Sequence, residues 1–334
     1  MTSVLYDARW IGNHGIGRFA AELQKQIPDL VPFTVKRHPS HALDPALLSY
    51  ELLRWKPRLF FSPGYNSPLG WTKRFIFTLH DLHHLRVPEN SSPVKRAYYD
   101  LIIKPACRRA AAVLTVSEYS KQEICQWANI SEDQIVNVGN GVGMPFTSSG
   151  PTHDPGYAYL LYVGSHKVHK NLPRLLKAFA ASGVPKEVHL LMTGLPETSL
   201  MNAINELHLA GRVIFIGFPS NEELAMYYRG ALGLVFPSLY EGFGLPPMEA
   251  MACGTPVLTS NVCALPEIVG DAALLVDPMD TDAISDGIRR LSQEETLRTL
   301  LRQNGLVRAG HFTWPKTAER ARMVLQTAIG LPLD

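Results

Sequence analysis

The stretch FPSLYEGFGLPPMEA, residues 236–250, predicts one strand-to-helix unit. Its apolar start follows the apolar run LGLV at 232–235 and indicates the end of a buried strand. Gly242 and Gly244 predict a tight loop, and the two consecutive prolines favour the first turn of a helix. A strand that leads through a short loop into a helix is the repeating unit of parallel α/β sheets.

The same alternation extends outward through the whole chain. Strands are predicted at residues 4–7, 58–62, 74–79, 111–116 and 135–138, and again at 159–163, 188–193, 213–217, 232–237, 256–259 and 273–276. The Gly- and Pro-rich segment 147–156 lies between the two series and predicts a linker. The pattern therefore predicts two parallel α/β domains, residues 1–150 and 151–312, followed by a helix within 313–334.

Length and composition agree with two folded domains. The 334 residues are about twice a typical domain length, and 46% hydrophobic with 19% charged residues excludes a disordered or fibrous chain. Polar residues interrupt the apolar stretch 250–266, and Asp7 interrupts the apolar start, so we expect no membrane span, no export and a cytoplasmic location. The four cysteines form no Cys-x-x-Cys pair, which excludes a zinc ribbon and a thioredoxin-type motif.

Basic residues are concentrated in the first half. Residues 1–150 hold 17 Lys and Arg against 12 Asp and Glu, with the surplus in the window 73–109. Segment 93–112 is predicted to form a helix with an apolar stripe beside the basic residues: Val94, Ala97, Tyr98, Leu101, Ile102 and Pro105. This helix is either ordinary surface or a contact with anionic lipid headgroups or a phosphorylated acceptor. Nucleic acid is disfavoured, because exposed aromatic residues are not interleaved with the basic ones.

The segment Gly15-Ile16-Gly17-Arg18-Phe19-Ala20 fits the glycine pattern of dinucleotide-binding proteins. A dehydrogenase is disfavoured because residues 8–14 separate the strand from the glycines. The next strand-like run also ends in Lys36-Arg37, without an acid that could bind ribose. Gly15 and Gly17 still favour a close approach of backbone amides, before a helix predicted from Arg18, to an anion or a sugar.

Two glutamates of the first quoted stretch stand eight residues apart, Glu241 on the loop and Glu249 in the predicted first turn of the helix. Loop amides and a helix N-terminus can hold a diphosphate without a metal, and carboxylates suit sugar and ribose hydroxyls. The alternative is structural: Glu249 complements the helix dipole and Glu241 is a turn residue.

This motif resembles the Glu, seven residues, Glu signature of the retaining glycosyltransferases of family 4. Further segments carry the resemblance along most of the chain: GIGR at 15–18, TLHD at 78–81, VSEYSK at 116–121, NGV at 140–142, YVGS at 162–165 with Lys170-Asn171, and ACGTPV at 252–257. It implies the GT-B fold, in which two Rossmann-like domains with parallel sheets face each other across an interdomain cleft. It also implies that the last helix crosses back to the first domain.

The resemblance implies a role for each matching residue. Glu241 would contact the hexose near the reacting carbon, Lys170 the diphosphate, and His80 the donor sugar. Further donor sugar and phosphate contacts would come from Gly15, Gly17, Ser165, Gly242, Phe243, Gly244 and Leu245. The ribose and base would lie against Glu249, Phe218 and Pro219. Ser165 and His169 replace arginines that many members carry, so one phosphate contact is expected to be weaker or to be supplied by another residue. His80 also fits a helix-capping or core role.

Two clusters resemble metal sites. His80, Asp81, His83 and His84 lie close in sequence, but the resemblance is to a metal-independent family. Asp280-Thr281-Asp282 matches an Asp-x-Asp motif, but its position before a predicted helix favours capping. We therefore expect neither a metal nor another cofactor.

The resemblance is closest to bacterial mannosyltransferases of lipopolysaccharide and exopolysaccharide assembly. It implies transfer of mannose from GDP-mannose to a lipid-linked or oligosaccharide acceptor, with retention of configuration, in the cytoplasm or on the inner face of the plasma membrane. In the commonly described front-face attack, the leaving phosphate takes the acceptor's proton. The alternatives are a UDP-glucose or UDP-N-acetylglucosamine transferase of the same fold, and a non-catalytic nucleotide-sugar-binding protein.

Overall fold

A computed structural model of the chain describes residues 4–12, 14–70 and 74–330. The first sheet contains β1 (Val4–Asp7), β2 (Leu30–Phe33), β3 (Leu59–Ser62), β4 (Phe75–Thr78), β5 (Ala112–Thr115) and β6 (Ile135–Asn137). The second contains β7 (Tyr159–Tyr162), β8 (His189–Met192), β9 (Val213–Phe215), β10 (Gly233–Phe236), β11 (Val257–Ser260) and β12 (Leu274–Val276).

Helices connect these strands. The first part of the chain forms α1 (Gly15–Gln26), α2 (Asp44–Trp55), α3 (His83–Arg86), α4 (Pro93–Tyr98), α5 (Lys104–Arg109) and α6 (Glu118–Ala128). The rest forms α7 (Leu172–Ala181), α8 (Thr198–Glu206), α9 (Asn221–Gly230), α10 (Leu245–Ala252), α11 (Leu265–Val269), α12 (Thr281–Gln293), α13 (Glu295–Ala309) and α14 (Trp314–Ile329).

Within the described residues, the strands form two six-stranded parallel sheets, in the orders β2-β1-β3-β4-β5-β6 and β12-β11-β10-β7-β8-β9. Each residue of β3, β4 and β5 is buried, as is typical of parallel strands that helices cover on both faces. The predicted parallel α/β architecture is confirmed, and each of the eleven predicted strands coincides with an observed one.

The chain divides into two compact units, and the division differs from the predicted boundary. The first unit comprises the residues up to Gly141 and those from Thr313 onward, and the second is Val142–Phe312. The segment predicted as a linker belongs to the second unit because α9 holds it there. Arg229 donates from Nε to the Pro151 carbonyl at 2.7 Å and from Nη1 to the Thr147 carbonyl at 3.1 Å.

The last helix, α14, packs in the first unit against α1 and β5. Trp314, Ala321 and Leu325 are buried, and Arg58 Nη2 donates to the Ile329 carbonyl at 2.7 Å. Gly141 must be glycine for this packing, because a Cβ there would lie 2.3 Å from the Trp314 backbone nitrogen. The end of the chain therefore completes the unit that its beginning forms.

A buried charged cluster joins β1, the turn that follows it and the start of α2. Arg9 donates to Asp7 at 2.7 Å and to Asp44 at 2.7 Å, and Arg37 donates to Asp44 at 2.7 Å. Asn66 Nδ2 donates to Asp7 at 2.8 Å and to Asp44 at 3.1 Å. Both carboxylates are fully buried, so the two arginines and the amide replace the hydration that these charges would have in water.

The predicted amphipathic helix at 93–112 is interrupted, and its predicted apolar stripe is correct only in part: Tyr98 and Ile102 pack against the core of the first unit, whereas Ala97 is exposed. A π-helical segment, Tyr99–Ile103, separates α4 from α5. The wider π turn changes the register between the two faces. The buried side chains of the segment are those of Tyr99, Ile103, Ala106, Cys107, Ala110 and Ala112, whereas Val94 and Leu101 are exposed. No helix among the described residues has the length and hydropathy needed to cross a membrane.

Candidate active site

An ion pair lies at the carboxyl ends of β7 and β10, which are neighbours in the second sheet. Lys170 Nζ donates to Glu241 Oε1 at 2.5 Å, and the two side chains are only 11% and 14% exposed. Nζ also lies 4.7 Å from the centroid of the Phe236 ring. Since ligands of parallel α/β sheets bind beyond these strand ends, the structure brings both sequence-predicted residues to the expected place.

Asn171, the residue after Lys170, binds the loops that follow β10 and β12. Asn171 adopts a left-handed conformation with φ 63° and directly precedes α7, without a side-chain bond to the helix N–H groups. Its Nδ2 donates to the Pro237 carbonyl at 3.0 Å and to the Pro278 carbonyl at 2.7 Å. The Leu239 N–H also donates to the His169 carbonyl at 2.7 Å. These bonds fix the backbone on both sides of the ion pair.

A second set of bonds positions the turn before Lys170. The Tyr162 hydroxyl donates to the Ser165 carbonyl at 2.7 Å, and the Gly164 N–H donates to Thr193 Oγ1 at 2.9 Å. A Cβ at Gly164 would lie 2.8 Å from the Tyr162 hydroxyl oxygen, so the turn requires glycine. Burial, and then the charge of Glu241, raise the pKa of Tyr162 well above its ordinary value, so this hydroxyl remains a donor. The Ser165 side chain is exposed.

The glycine loop after Glu241 ends at a left-handed residue. Gly244 has φ 101°, and a Cβ there would lie 2.7 Å from Leu265 Cδ2. α10 begins directly after it, at Leu245, and its first N–H groups point out of the helix end. The Phe243 ring is buried edge-on against Phe312 at 5.7 Å, so this residue can offer a ligand only its backbone.

Glu249 lies in the second turn of α10, and its predicted place in the first turn is wrong. The helix starts at Leu245 rather than at the prolines, because Gly244 supplies the left-handed cap. Glu249 is 5% exposed, and its Oε2 accepts a bond from the Tyr228 hydroxyl of α9 at 3.1 Å. A dipole effect fades after the first turn, so complementing the helix dipole does not explain this buried carboxylate.

Phe218 and Pro219 follow β9, at the same edge of the sheet. Phe218 is 79% exposed, an unusual state for a large ring in a folded unit. Gly217 precedes it with φ 69°, and its carbonyl accepts a bond from the Gly194 N–H at 2.6 Å. The bond fixes the backbone that presents the ring, whose open face can stack on a planar group.

His80 lies in the first unit, after β4. Its Nε2 is 3.0 Å from the Pro63 carbonyl and therefore donates, and its ring meets Phe19 edge-on at 4.9 Å. Burial lowers the pKa of His80 to about 4, with the bond to the Pro63 carbonyl opposing this shift and the neighbouring His14 adding a smaller lowering effect. The ring is neutral at pH 7, with Nδ1 as the acceptor nitrogen. Neighbouring Asp81 accepts a bond from the His83 N–H at 2.9 Å, as a cap of α3.

Gly15 and Gly17 lie in the first turn of α1, which begins at Gly15 rather than at Arg18 as predicted. His14 caps this helix: its Nδ1 accepts a bond from the Gly17 N–H at 3.0 Å. A Cβ at Gly17 would lie 2.2 Å from the Gly12 carbonyl oxygen. Gly17 is therefore required for close backbone packing, while Gly15 is exposed.

The Asp-x-Asp segment caps a helix, as predicted. Asp280 Oδ1 accepts bonds from the N–H groups of Asp282 at 2.9 Å and Ala283 at 3.0 Å, at the start of α12. Across the described ranges, no group of three or more His, Cys, Asp or Glu side chains is arranged to hold a metal ion.

Three residues support the site without having been given a role from the sequence: Tyr162 and Asn171, which lie in the motif segments quoted above, and Tyr228, which lies outside them. A signal existed for Asn171, because asparagine before a Leu-Pro pair is a common way to begin a helix. For Tyr228, 21 residues before Glu249, the sequence offered no signal of the contact. Tyr162 lies only 3 residues before Ser165, but nothing in the motif showed that its hydroxyl would bind that carbonyl.

Stability is expected to fall as the pH drops below about 6.5. Burial, and then the charges of Lys170 and Lys167, lower the pKa of His169 to about 3. At a pH between about 3 and about 6.5, His169 binds a proton in the unfolded chain but not in the folded chain, so acid favours unfolding. Urea unfolding at about pH 7.5 and about pH 5 measures this loss. His169→Gln should reduce it, and the exposed His311→Gln should not; an unchanged loss in His169→Gln would contradict the assignment.

Comparison with known proteins identifies the family. Residues 6–144 match the family described as Glycosyltransferase Family 4, and residues 146–308 match Glycosyl transferases group 1. O-antigen chain mannosyltransferase B of Escherichia coli is 30% identical over 318 residues, covering 90% of this chain and 80% of that protein.

Solved structures show the same fold. HepE of Anabaena, in complex with UDP and glucose, gives a TM-score of 0.77 at 17% identity over 98% of this chain and 100% of that one. WaaG, a glycosyltransferase involved in lipopolysaccharide biosynthesis, gives 0.74 at 15% identity over 96% and 97%. The two parallel sheets and the structural neighbours show the GT-B fold. The two family matches and the Escherichia coli relative show that the chain is a glycosyltransferase and belongs to glycosyltransferase family 4.

Proposed function

We propose that this glycosyltransferase moves a mannosyl group from GDP-mannose to a lipid-linked glycan, with retention of configuration and without a metal. The observation that carries the proposal is the ion pair between Lys170 and Glu241 at the carboxyl ends of β7 and β10. Mannose is supported by the name of the Escherichia coli relative, and the lipid-linked acceptor by the resemblance to transferases of surface polysaccharide assembly.

Lys170 and Glu241 would exchange partners when the donor binds. An ammonium held in a nearly buried position can bind diphosphate oxygens and offset the charge that develops on the leaving group. The Glu241 carboxylate, released from Nζ, would accept bonds from hexose hydroxyls near the reacting carbon. In the free enzyme each group neutralises the other, which lowers the cost of holding both charges in a poorly hydrated site.

The remaining groups would bind the rest of the donor. The N-terminus of α10 would hold phosphate oxygens with its first N–H groups. Glu249, kept in place by the Tyr228 hydroxyl, would accept bonds from the ribose, and the exposed Phe218 ring would stack on the base. His80, neutral and fixed by the Pro63 carbonyl, would contact the sugar from the first unit.

A thermal-shift panel tests the donor. A ligand that binds only the folded state stabilises it, by about 2.7 kcal/mol at a concentration about 100 times Kd. We expect GDP and GDP-mannose to raise the melting temperature, and UDP, UDP-glucose, UDP-N-acetylglucosamine and ADP to leave it unchanged. A rise with UDP alone would assign a UDP-sugar donor instead. Stabilisation by NAD(P) alone would contradict a glycosyl donor altogether.

Transfer itself is tested with GDP-mannose and a polyprenyl-diphosphate-linked glycan in the presence of EDTA. We expect turnover at the rate seen without chelator, since Lys170 supplies the cation that a metal provides elsewhere. NMR of the product should show the anomeric configuration of the donor. An inverted product would exclude retention. Donor binding with neither transfer nor slow donor hydrolysis would indicate a non-catalytic binding protein.

A further inference from the structure

A cavity of about 680 Å³ lies in the first unit, between α14 and the last two strands of the first sheet. Its walls come from the end of α5, the chain just before β5, the start of β6 and the second half of α14. Close packing leaves few voids larger than a water molecule in a folded domain, whereas pockets that bind small molecules measure about 300–1,000 Å³. This space, which we call the α14 cavity, is therefore large enough for a small organic ligand.

The α14 cavity is separate from the candidate active site. Ala111 lies directly before β5 and Gln134 directly before β6, so the cavity begins at the amino ends of these strands. His80 instead follows the carboxyl end of β4, and Lys170 and Glu241 belong to the second unit. A ligand in the cavity would therefore touch none of the residues assigned to the donor.

Most of the lining of the α14 cavity is apolar. Three alanines and three larger side chains supply it: Ala110, Ala111, Ala328, Val136, Met323 and Val324. The short alanine side chains leave space that larger residues would fill. Other residues hold α14 to the first unit, among them Ala321 and Leu325, which are buried. An apolar group can therefore enter the cavity while these contacts stay in place.

Two arginines give the lining a positive charge. Arg108 and Arg320 are both exposed residues of the cavity wall, and the described residues of that wall include no aspartate or glutamate. Arg108 donates from Nη2 to the Ala128 carbonyl at 3.0 Å. Among the residues that the structure describes, Arg320 takes part in no hydrogen bond and no ion pair. Its guanidinium can therefore bind an anion without breaking an existing contact.

This lining selects an anion that also has an apolar part. Guanidinium groups bind phosphate oxygens through pairs of N–H donors, and a phosphate monoester carries a charge of about −1.5 to −2 at pH 7, which matches two cations. An inorganic ion would leave the apolar walls in contact with water. A wholly apolar molecule would leave the two positive charges unneutralised. A phosphate attached to an apolar body satisfies both parts of the lining.

We propose that the α14 cavity is a second ligand site, which binds a small soluble organic phosphate with an apolar body. The Arg320 guanidinium donates to the phosphate oxygens, and Arg108 contributes the second positive charge. The apolar body lies against Val136, Met323 and Val324. Because the cavity shares no residue with the candidate active site, the organic phosphate and the nucleotide can occupy the protein together.

Isothermal titration calorimetry of the full chain with naphthyl phosphate tests the proposal. We expect binding, and affinities about tenfold weaker or less for naphthol, which lacks the phosphate, and for inorganic phosphate, which lacks the rings. Arg320→Gln should weaken the binding of naphthyl phosphate about tenfold or more, because it removes charge-assisted hydrogen bonds. Arg322→Gln is the matched control: Arg322 is also an exposed arginine of α14 but does not line the cavity, so this variant should bind like the parent protein.

Two further variants separate this site from the donor site. Thr327→Trp fills the cavity from an exposed position and keeps both arginines, so it should also weaken binding about tenfold or more. Phe218→Ala removes the ring expected to stack on the nucleotide base and should leave the affinity for naphthyl phosphate unchanged. The affinity should also stay unchanged when the nucleotide that raises the melting temperature in the thermal-shift panel is present at saturation.

The melting temperature of each variant without ligand reports on folding separately, and substitutions at these exposed positions should leave it unchanged. A parent protein that does not bind naphthyl phosphate would overturn the proposal, as would equal weakening by Arg320→Gln and Arg322→Gln. Unchanged affinity in Thr327→Trp would also overturn it, because the ligand would then lie elsewhere. Loss of binding in Phe218→Ala, or displacement by the nucleotide, would assign naphthyl phosphate to the donor site and exclude a second site.

Discussion

Lys170→Ala is expected to abolish measurable turnover, with a loss in kcat of about 10²–10³-fold or more. The substitution removes the ammonium that would stabilise the leaving diphosphate. It also leaves Glu241, which accepts the Nζ bond at 2.5 Å, without its counter-charge. Steady-state transfer of radiolabelled sugar measures the effect, and the melting temperature without ligand reports on folding.

Ser165→Ala is the matched comparison, because Ser165 lies in the turn before Lys170 and is also predicted to lie near the phosphates. Its side chain is exposed, and the bond that fixes the turn goes to its carbonyl rather than to its hydroxyl. We expect a change of about twofold or less, as is usual for an exposed position. Equal losses in the two variants would contradict the role assigned to Lys170.

Arg9→Met is expected to cause the largest loss of stability, about 3–5 kcal/mol in the free energy of unfolding. Arg9 pairs with both Asp7 and Asp44, whose side chains are fully buried. Methionine fills much of the same volume, but the carboxylates then keep Arg37, Asn66 and the backbone N–H of residue 9 as partners and lose the guanidinium that joins them. The loss would be a large fraction of the stability of an ordinary domain.

Urea unfolding followed by circular dichroism measures this loss, and Arg290→Met is the control. Arg290 pairs with Glu294 at 3.2 Å on an exposed side of α12, where such pairs contribute about 0.5 kcal/mol or less. If the two variants lose similar stability, the buried cluster is not a major source of stability in the first unit.

Much of the fold could be predicted because buried parallel strands can be recognised from short stretches of sequence. Buried runs such as Phe75–Thr78, which lies between Arg74 and Leu79-His80, are mostly apolar on both faces and give a clear pattern. The interrupted helix at 93–112 could not be predicted, since a π segment follows from packing around Tyr99 and Ile103 rather than from composition. The end of the first unit at Gly141 was also hidden, because the polar segment after it looks like a linker.

The site was predictable in its residues but less so in its contacts. Lys170 and Glu241 were named through the family resemblance, yet their ion pair spans a large separation in sequence and depends on the pairing of β7 with β10. The exposed leucines of α2 could not be told from its buried ones, for a different reason. Leucines around a helix in sequence indicate burial, and only the packing shows which of them, such as Leu48, reach the core and which, such as Leu53, do not.

The second unit is an insertion in the chain of the first, which bears on how the two can be separated. The chain leaves the first unit at Gly141 and re-enters it at Thr313, beside the point of departure, since Gly141 touches the Trp314 backbone. The inserted unit has adjacent ends as well, because the Val142 N–H donates to the Phe312 carbonyl at 3.0 Å. A plain truncation before residue 313 therefore removes the last helix of the first unit, whereas excision of 142–312 with a short glycine bridge keeps it.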